Sequence, residues 1–527
     1  MADPVQKHIV AYAYQAWGHA RPLTILVSRF VKLHPVQVTL LSHDAFFERI
    51  QTELARCFEP GEQEYANRIR QAHAHAWPMA GAGPSTPLLS VGSAQFITSR
   101  EADENFRLVW EKLVAGAPVT CEKTQVVHAA RPKPDAVIID LFGVHPFKSI
   151  KAVSGDSIKI HVWHPALTYE IFWFWGPEKV GGQGNLRLKA EEEARLTGQA
   201  YTDVVKKMSW GAKGDVVRIP EFPPLYDYEY FPQAFDMDEN MLINVLPYVH
   251  ETLEGSDGVL LFSSETFEPG AVAAVRAWYA ETSRPAYICG PLLPSGSEAA
   301  KNEKKLSTEA EEIQTLLDTT LKTSGEHSLL YISFGSIFWP KAPEKLYAVL
   351  DVVMELGIPF ILSHASPFAV VADDIREKAK AYGKGIISAW TPQQMILDHP
   401  ATGWFIAHGG HNGVMEAISA GVPQILWPFL ADQPLNAIYM TDTLQIAYEL
   451  IEVRTAHGLH PIYRNGRTPV GTVDAVKAEV RDVLAKAFGA DGAEKRARLL
   501  ALRERVNRDW EEGGPSLRDV TAFLQSL

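Results

Sequence analysis

Residues 403–427 run through a strand, a glycine-rich turn, a helix and a second strand, and this order constrains the fold more than any other feature of the chain. Gly403–Ala407 and Gln424–Trp427 are short apolar runs typical of buried strands. Between them, the turn His408–Gly413 precedes a predicted helix over Val414–Ala420. Such alternation is typical of α/β domains with parallel sheets. A glycine-rich turn that opens a helix exposes backbone N–H groups and the positive end of the helix dipole, so we predict a phosphate site here.

The same alternation of strands and helical segments recurs along both halves of the chain. The predicted buried strands are His8–Tyr14, Val36–Ser42, Asp135–Asp140 and Ile158–Trp163 in the first half, and Ser328–Phe334, Ile358–Ser363, Gly385–Trp390, Trp404–Ala407 and Gln424–Trp427 in the second. A chain of 527 residues is too long for one hydrophobic core and suits two domains of about 250 residues. The polar segment that follows Cys289–Pro294 is typical of a linker between them.

Composition excludes several classes of function. The net charge of -13 argues against a nucleic-acid-binding surface. The three cysteines, Cys57, Cys121 and Cys289, are too widely spaced for a metal or disulfide framework and favour a reducing compartment. We expect no membrane span, since no apolar run reaches about 18 residues, and no signal peptide, since a predicted strand begins at His8. These features predict a cytoplasmic protein. The first strand is not followed by GxGxxG, which argues against a dehydrogenase-type dinucleotide site.

Aromatic and polar side chains surround the glycine-rich turn in the sequence. Trp390 precedes it, Glu416 lies one turn into the predicted helix, and Asp432 and Gln433 follow the second strand. An aromatic ring can stack on a base, and carboxylates can accept hydrogen bonds from ribose and sugar hydroxyls. Each residue alone also fits an ordinary turn with capping residues. The whole set in this order favours a nucleotide-sugar site.

The 44 residues from Trp390 to Gln433 closely resemble the signature box of the UDP-dependent glycosyltransferases of the GT-B fold. The resemblance implies that Trp390 stacks on uracil, that Glu416 binds the ribose, and that the turn holds the diphosphate. The donor-binding residues implied in this way are Gly18, Ser336, Trp390, Thr391, Gln393, His408, Gly410, His411, Asn412, Gly413, Glu416, Asp432 and Gln433. Gly409, His411 and Gly413 stand where plant members usually carry Cys, Trp and Ser, so the box is closer to animal and fungal members.

The resemblance also implies an architecture. It predicts two Rossmann-like domains whose parallel sheets face each other across a cleft. Residues 1–288 would form an N-terminal acceptor-binding domain, 289–310 a linker, 311–504 a C-terminal UDP-sugar-binding domain, and 505–527 a tail whose helix crosses back to the first domain. The turn Ser333–Ser336 resembles the family's SFGS turn, where Ser336 would donate to a phosphate or to the sugar; without the resemblance a simple turn fits equally well.

A candidate catalytic pair lies in the first half of the chain. His19 follows the first strand, ahead of a helix expected from about Leu23, and Asp140 ends a strand of the same predicted sheet. Ligands of such sheets bind at the carboxyl ends of the strands. An imidazole suits removal of a proton from an alcohol, and a carboxylate can orient it. Alone, these residues also fit a helix-entry histidine and a helix cap. The family carries its base histidine in GHxxP, which here is Gly18–Pro22, and pairs it with an aspartate at this strand end.

The acceptor site is predicted from aromatic residues near strand ends of the first domain. The candidates are Trp17, Phe142, Trp163, Phe172, Trp173, Phe174 and Trp175. The alternative is that these rings pack a helix onto the sheet, but four aromatics in a row should not all face one core. Asp236-Met237-Asp238 spells the DxD of metal-dependent transferases, yet it is better explained as the acidic start of a helix. The pairs His73/His75 and His161/His164 have no third ligand nearby in sequence, so no metal site is predicted.

These observations predict a metal-independent, inverting UDP-glycosyltransferase without a cofactor other than the UDP-sugar co-substrate. A hexose would pass to a hydroxyl of a small lipophilic acceptor such as a phenol, terpenoid, sterol or lipid-like alcohol. Gln433 matches members that use UDP-glucose, so glucose is the expected sugar. We expect a monomer. The alternatives are a sugar-nucleotide epimerase or hydrolase of the same fold and a non-catalytic UDP-sugar-binding protein.

Overall fold

The computed structural model describes residues 7–43, 46–73, 100–293 and 309–527. Their contacts divide the chain into two compact units. Unit 1 contains the described residues of Met1–Gly211, Met237–Gly296 and Asp509–Leu527, and unit 2 those of Ala212–Asp236 and Ser297–Arg508. Most of the predicted linker, residues 294–308, lies outside the described residues. Over the described ranges, no helix is long and apolar enough to cross a membrane.

Unit 1 is built on a parallel sheet of seven strands. The central strand Ala136–Asp140 is buried at every position, as expected for a parallel sheet covered on both faces. In spatial order the strands are Ala286–Ile288, Gly258–Leu261, Lys159–His164, Ala136–Asp140, Lys7–Tyr12, Val36–Ser42 and Ile69–His73. An antiparallel pair, Val119–Thr120 with Val127–His128, lies apart from this sheet.

The helices of unit 1 fill the connections between these strands. They are Trp17–Leu33, Phe47–Arg56, Gln63–Ala66, Arg100–Val114, Val144–Ser154, Thr168–Trp175, Leu186–Thr197, Tyr201–Ser209, Leu246–Glu254, Pro269–Ala280 and Pro515–Gln525, with a 3₁₀ turn at Glu178–Val180 and a π turn at Met241–Val245. The last helix packs on the edge strand, where Asp519 accepts hydrogen bonds from the Ile288 N–H at 2.9 Å and from Arg276 at 2.7 Å. The predicted return of the C-terminal helix to the first domain is confirmed.

Unit 2 is built on a parallel sheet of six strands. In spatial order these are Gly385–Ser388, Phe360–Ser363, Leu329–Ser333, Thr402–Ala407, Gln424–Leu426 and Tyr448–Glu449. The helices are Ala310–Ser324, Pro343–Glu355, Asp373–Tyr382, Gln393–Asp398, His411–Ala420, Gln433–Ile438, Val473–Ala487 and Ala490–Val506, with 3₁₀ turns at Asp227–Tyr230 and Ala456–Leu459, a π turn at Tyr439–Thr443, and a 3₁₀ turn at Asn507–Trp510 that runs into unit 1. Two parallel sheets with helices confirm the predicted α/β class.

A segment from the first half of the chain packs within unit 2. Residues 212–236 contain the antiparallel pair Val216–Val217 and Leu225–Tyr226. Glu229, fully buried, accepts from the Tyr463 N–H at 3.0 Å and pairs with Arg464 at 3.5 Å. A buried carboxylate needs such partners because its desolvation is costly. These contacts fix the segment to unit 2.

Two details of the predicted elements were wrong. Among the described strands of the two parallel sheets, four were not predicted: Ile69–His73, Gly258–Leu261, Ala286–Ile288 and Tyr448–Glu449. They are short or carry polar residues, so their apolar signal is weak. The first helix begins at Trp17, not near Leu23, and contains Pro22. A proline early in a helix removes only the hydrogen bond to the carbonyl four residues before it, so it does not mark the helix start.

A buried carboxyl group stabilises the start of the helix Thr168–Trp175. Glu268 accepts from the N–H groups of Thr168 at 2.9 Å and Tyr169 at 3.2 Å, and from the hydroxyl of Ser263. The side chain is fully buried, and this burial raises the pKa of Glu268 to about 7 against the opposing effect of these hydrogen bonds. The acid therefore holds the aromatic helix at the sheet edge.

Replacing Glu268 with glutamine is expected to remove a pH-dependent loss of stability. Because the pKa of Glu268 is raised in the folded state, the protonated acid adds its full contribution to the free energy of unfolding below about pH 4.5. This contribution is lost as the pH rises to about 7. Over that window the wild type should lose roughly 3 kcal/mol relative to Glu268→Gln. Urea unfolding of both proteins at several pH values between about 4.5 and 8 measures this difference. A difference that stays constant over the range would contradict a raised pKa.

Candidate functional site

In unit 1, the predicted catalytic pair meets at the carboxyl edge of the sheet. His19 lies in the first turn of its helix, and its Nδ1 is 2.9 Å from Oδ2 and 3.2 Å from Oδ1 of Asp140. Asp140 is fully buried, whereas the His19 side chain is 20% exposed. With the carboxylate accepting at Nδ1, the proton sits there and Nε2 presents its lone pair. Asp135 lies at the other end of the strand, where it pairs with Lys7 at 3.0 Å.

Phe142 contacts both members of this pair. Its N–H donates to Asp140 Oδ1 at 3.0 Å, and its ring stacks on the imidazole of His19 with centroids 5.4 Å apart and an interplanar angle of 29°. The rings of Tyr14 and Trp175 contact the Phe142 ring edge-on, with centroids 5.5 Å and 5.8 Å from its own. These three rings form the aromatic surround of His19. The imidazole of His19 thus lies beside an aromatic surface. Burial raises the pKa of Tyr14, so its hydroxyl stays protonated.

Three further predicted residues lie around the start of the first helix. Trp17 and Gly18 precede His19 in the same helical turn, both half-buried, and Arg49 lies over the Trp17 ring at 4.2 Å. Trp163 is fully buried, and its Nε1 donates to the carbonyl of His19 at 3.3 Å. Trp163 therefore supports the base from the core and, contrary to the acceptor-site prediction, offers no exposed ring in this structure.

The aromatic run Phe172–Trp175 forms the end of one short helix. Phe172 is fully buried and packs on Trp278, with centroids 6.3 Å apart, so its ring belongs to the core and not to an acceptor surface. Phe174 and Trp175 are also buried, and only Trp173 is partly exposed. Of the four, Trp175 is the one that reaches the surround of His19, through Phe142.

In unit 2, the strands that carry the predicted donor residues end side by side. Ser333 pairs with Ala407, and Ala407 pairs with Leu426, so the turns that follow these residues share one edge of the sheet. Gly335 has a φ of +74°, and a Cβ there would approach the His408 ring to 2.9 Å. The turn after the first strand therefore packs directly against the turn after the second, and Ser336 follows half-buried.

The glycine-rich turn opens the helix His411–Ala420, three residues earlier than predicted. Gly410 is the N-cap and supplies no side-chain cap. The His411 N–H donates to Asp432 Oδ2 at 2.9 Å, while the Gly413 N–H, also in the first turn, has no acceptor within the helix. Nothing lies within 4 Å of the position that a Cβ on Gly413 would take. The first helical turn thus offers donors and open space to an anion.

Both histidines of the turn are neutral at physiological pH. Burial lowers the pKa of His408 to about 4, against the effect of a backbone hydrogen bond to Ser333. Burial lowers the pKa of His411 to about 3, against a side-chain hydrogen bond to Asn436. The positive field at this turn therefore comes from N–H donors and the helix dipole and not from an imidazolium ion.

The two residues predicted to face the sugar are held by the protein itself. Besides capping His411, Asp432 Oδ2 accepts from Asn436 Nδ2 at 2.9 Å, and the same nitrogen donates to the Gly409 carbonyl at 2.8 Å. Gln433 Oε1 accepts from the Phe429 N–H at 2.9 Å. The amide oxygen of Gln433 is thereby occupied, which leaves its NH₂ group as the end that can donate to a sugar hydroxyl.

The predicted nucleoside-binding residues also form one group. The Trp390 side chain is 39% exposed, as a ring that stacks on a base must be. Gln393 Nε2 donates to Glu416 Oε2, and Thr391 lies buried beside them. Tyr331 donates its hydroxyl to Gln393 Oε1 at 3.3 Å.

Asn436 and Tyr331 have a place in the site and were not predicted for it. The spacing of Asn436, four residues after Asp432, is a signal that could have indicated it, since such residues share a helix face. The approach of Tyr331 to Gln393 spans 62 residues of sequence and leaves no local signal.

The patterns discounted in the sequence have structural roles. Asp238 Oδ1 accepts from the N–H groups of Asn240 at 2.9 Å and Met241 at 3.2 Å, as predicted for the acidic start of a helix. His161 and His164 are buried in one strand of the sheet. His75 lies outside the described residues. Within the described ranges, no three His, Cys, Asp or Glu side chains form a group that could hold a metal ion.

The sequence matches one family. The family described as UDP-glucoronosyl and UDP-glucosyl transferase matches residues 238–459. UDP-glycosyltransferase eriJ of the fungus Hericium erinaceus is 29% identical and aligns over 99% of this chain and 98% of its own. Nuatigenin 3-beta-glucosyltransferase of Solanum aculeatissimum is 24% identical over 99% and 97% of the two chains.

Solved structures share the fold. A UGT transferase from Siraitia grosvenorii in complex with UDP superposes with a TM-score of 0.67 at 18% identity over 99% of both chains. A UDP-glucosyltransferase from Polygonum tinctorium capable of glucosylating indoxyl gives a TM-score of 0.63 at 18% identity, also over 99% of both chains. Taken with the geometry of the two sheet edges, these matches lead to one conclusion: the chain carries a UDP-glycosyltransferase domain in residues 238–459, has the GT-B fold, and transfers sugar from a UDP-sugar to a small acceptor.

Proposed function

We propose that the protein is an inverting glucosyltransferase that moves glucose from UDP-glucose to a hydroxyl of a small lipophilic acceptor. The observation that carries this proposal is the contact of His19 Nδ1 with the buried Asp140 carboxylate at 2.9 Å. It leaves Nε2 as the nitrogen that can accept a proton. An aromatic surface beside the base favours a lipophilic acceptor over the water of a hydrolytic reaction.

The reaction is a single displacement. His19 Nε2 takes the proton of the acceptor hydroxyl while that oxygen bonds to the anomeric carbon from the face opposite UDP. The bond from the anomeric carbon to the phosphate oxygen breaks, its electron pair leaves with UDP, and the configuration inverts. Asp140 stabilises the imidazolium that forms.

The leaving group is stabilised by unit 2. Its diphosphate lies at the start of the helix His411–Ala420, where the N–H groups of Asn412 and Gly413 and the helix dipole balance the charge. The neutral His408 supplies a further N–H donor. The proposed mechanism therefore includes no metal ion and no cofactor.

The residues at the end of the box bind the glucose. The Asp432 carboxylate, oriented by Asn436, accepts from sugar hydroxyls, and the NH₂ group of Gln433 donates to one. Gly413 carries no side chain that could narrow the site. Trp390 and Glu416 bind the uracil and the ribose.

The acceptor class is inferred from the aromatic rings that surround His19. Phe142, Tyr14 and Trp175 favour a ring or a fused apolar skeleton over a sugar or a peptide. The relatives fit this class, since one is a nuatigenin glucosyltransferase and one glucosylates indoxyl. We further propose that the protein acts as a monomer in the cytoplasm, where its three cysteines would stay reduced.

Mass spectrometry tests the proposal directly. The protein is incubated with UDP-glucose, a chelator and a panel of phenols, terpenoid alcohols and sterols, and we expect the mass of a hexose conjugate of at least one acceptor. NMR of that conjugate should show inverted anomeric configuration. Release of glucose or a change of the sugar without acceptor would indicate a hydrolase or an epimerase. Firm UDP binding without any turnover would indicate a non-catalytic UDP-sugar-binding protein.

A further inference from the structure

A tyrosine hydroxyl lies beneath the residues that hold the nucleoside. Tyr331 belongs to the central strand Leu329–Ser333, is buried, and stacks on Phe405 with centroids 4.8 Å apart and an interplanar angle of 22°. Its hydroxyl oxygen is 2.8 Å from Thr391 Oγ1 and 3.3 Å from Gln393 Oε1. The ring packs in the core, and only the hydroxyl reaches the polar group above it.

The chemistry of these groups fixes the direction of each hydrogen bond. Gln393 Oε1 can only accept, so Tyr331 donates its single proton to it, and Thr391 must donate to Tyr331. The amide of Gln393 is then oriented with its NH₂ group towards Glu416 Oε2, which accepts. Four side chains form a one-way relay, Thr391 to Tyr331 to Gln393 to Glu416, and each donation strengthens the next.

We propose that Tyr331 is a positioning residue that makes the donor site selective for ribose over 2′-deoxyribose. Its hydroxyl fixes the amide of Gln393, and through it the plane of the Glu416 carboxylate, in the orientation that receives two neighbouring ribose hydroxyls. This inference rests on the proposed function, in which Glu416 binds the ribose. Tyr331 itself touches no substrate.

The loss of this hydroxyl has a defined consequence. In Tyr331→Phe the ring and its stacking on Phe405 remain, but Gln393 Oε1 loses its donor. The amide of Gln393 is then held less firmly, and so is the Glu416 carboxylate to which it donates. A carboxylate that is held less firmly gains less from a second hydroxyl, so the preference for ribose falls while phosphate binding is kept.

The affinities of UDP and 2′-deoxy-UDP measure this preference. Isothermal titration of the full chain with each nucleotide needs no acceptor and no turnover. We expect the wild type to prefer UDP and Tyr331→Phe to reduce the ratio of the two dissociation constants by about fivefold, the size of one ordinary hydrogen bond. The affinity for 2′-deoxy-UDP should change by less than about twofold.

Tyr382→Phe is the matched control. It also removes a tyrosine hydroxyl from unit 2, one that donates to the Ile358 carbonyl at 3.0 Å, and should leave the ratio unchanged. Glu416→Gln should lower the ratio by itself, and adding Tyr331→Phe to it should change the ratio no further, because one residue acts through the other.

Two results would contradict the positioning role of Tyr331 without affecting the proposed donor site. One is a ratio of the two dissociation constants that is the same in Tyr331→Phe as in the wild type. The other is an effect of Tyr331→Phe that adds to that of Glu416→Gln. A wild type that binds both nucleotides equally also overturns this role. A wild type that binds neither overturns the proposed donor site itself.

Discussion

His19→Ala is expected to lower the rate of glucosyl transfer by about a thousandfold, within the range that a positioned general base contributes. The substitution removes the imidazole that Asp140 orients, so the acceptor hydroxyl would have to attack with its proton still bound. Donor binding should be kept because all predicted donor residues except Gly18 lie in unit 2. Conjugate formation is followed by mass spectrometry, and UDP binding by calorimetry on the same protein.

Two further variants make this result specific. His399→Ala breaks another histidine–carboxylate pair, with Asp318 at 3.2 Å, and should leave transfer unchanged. Asp140→Asn should impair transfer nearly as much as His19→Ala, because an amide NH₂ facing Nδ1 favours the tautomer whose Nε2 carries the proton. Retention of more than about a tenth of the activity by His19→Ala would show that another group is the base.

Local sequence signals were sufficient for the fold class and for the position of most predicted donor residues at one sheet edge. The strands that were predicted are continuous apolar runs, since a parallel sheet is buried on both faces. The box is continuous in sequence, so residues that meet at one sheet edge, such as His408 and Glu416, are also close along the chain. To predict the pairing of His19 with Asp140, two further facts were needed. His19 follows one strand and Asp140 ends another strand of the same sheet, and parallel strands end at the same edge.

What sequence could not supply depends on contacts between distant residues. The burial of Phe172 against Trp278 decides that this ring is in the core, and no periodicity in a short aromatic run indicates which ring turns inwards. The placement of residues 212–236 in unit 2 depends on partners of the buried Glu229 that lie more than 230 residues away. Likewise, the neutrality of His408 follows from burial, which residue type alone does not predict.

Gly413→Asp is expected to weaken binding of UDP-glucose by at least about a hundredfold. The new carboxylate would stand in the open space at the first helical turn, where the diphosphate is proposed to lie. Two unit charges about 4 Å apart repel each other by several kcal/mol at the effective dielectric constant of a protein surface, which exceeds the roughly 2.7 kcal/mol of a hundredfold loss. Calorimetric titration with UDP-glucose measures the change.

The same substitution should not harm the fold, which makes the electrostatic effect separable from misfolding. Gly413 has no left-handed φ, and an acidic residue in the first turn of a helix stabilises it by up to about 1 kcal/mol. Gly413→Asn, equal in size but uncharged, is the matched control and should keep most of the affinity, and Gly413→Ser should keep it or improve it by adding a donor. Equal losses for Asp and Asn would mean that size and not charge limits the site, and the helix start would then not hold the diphosphate.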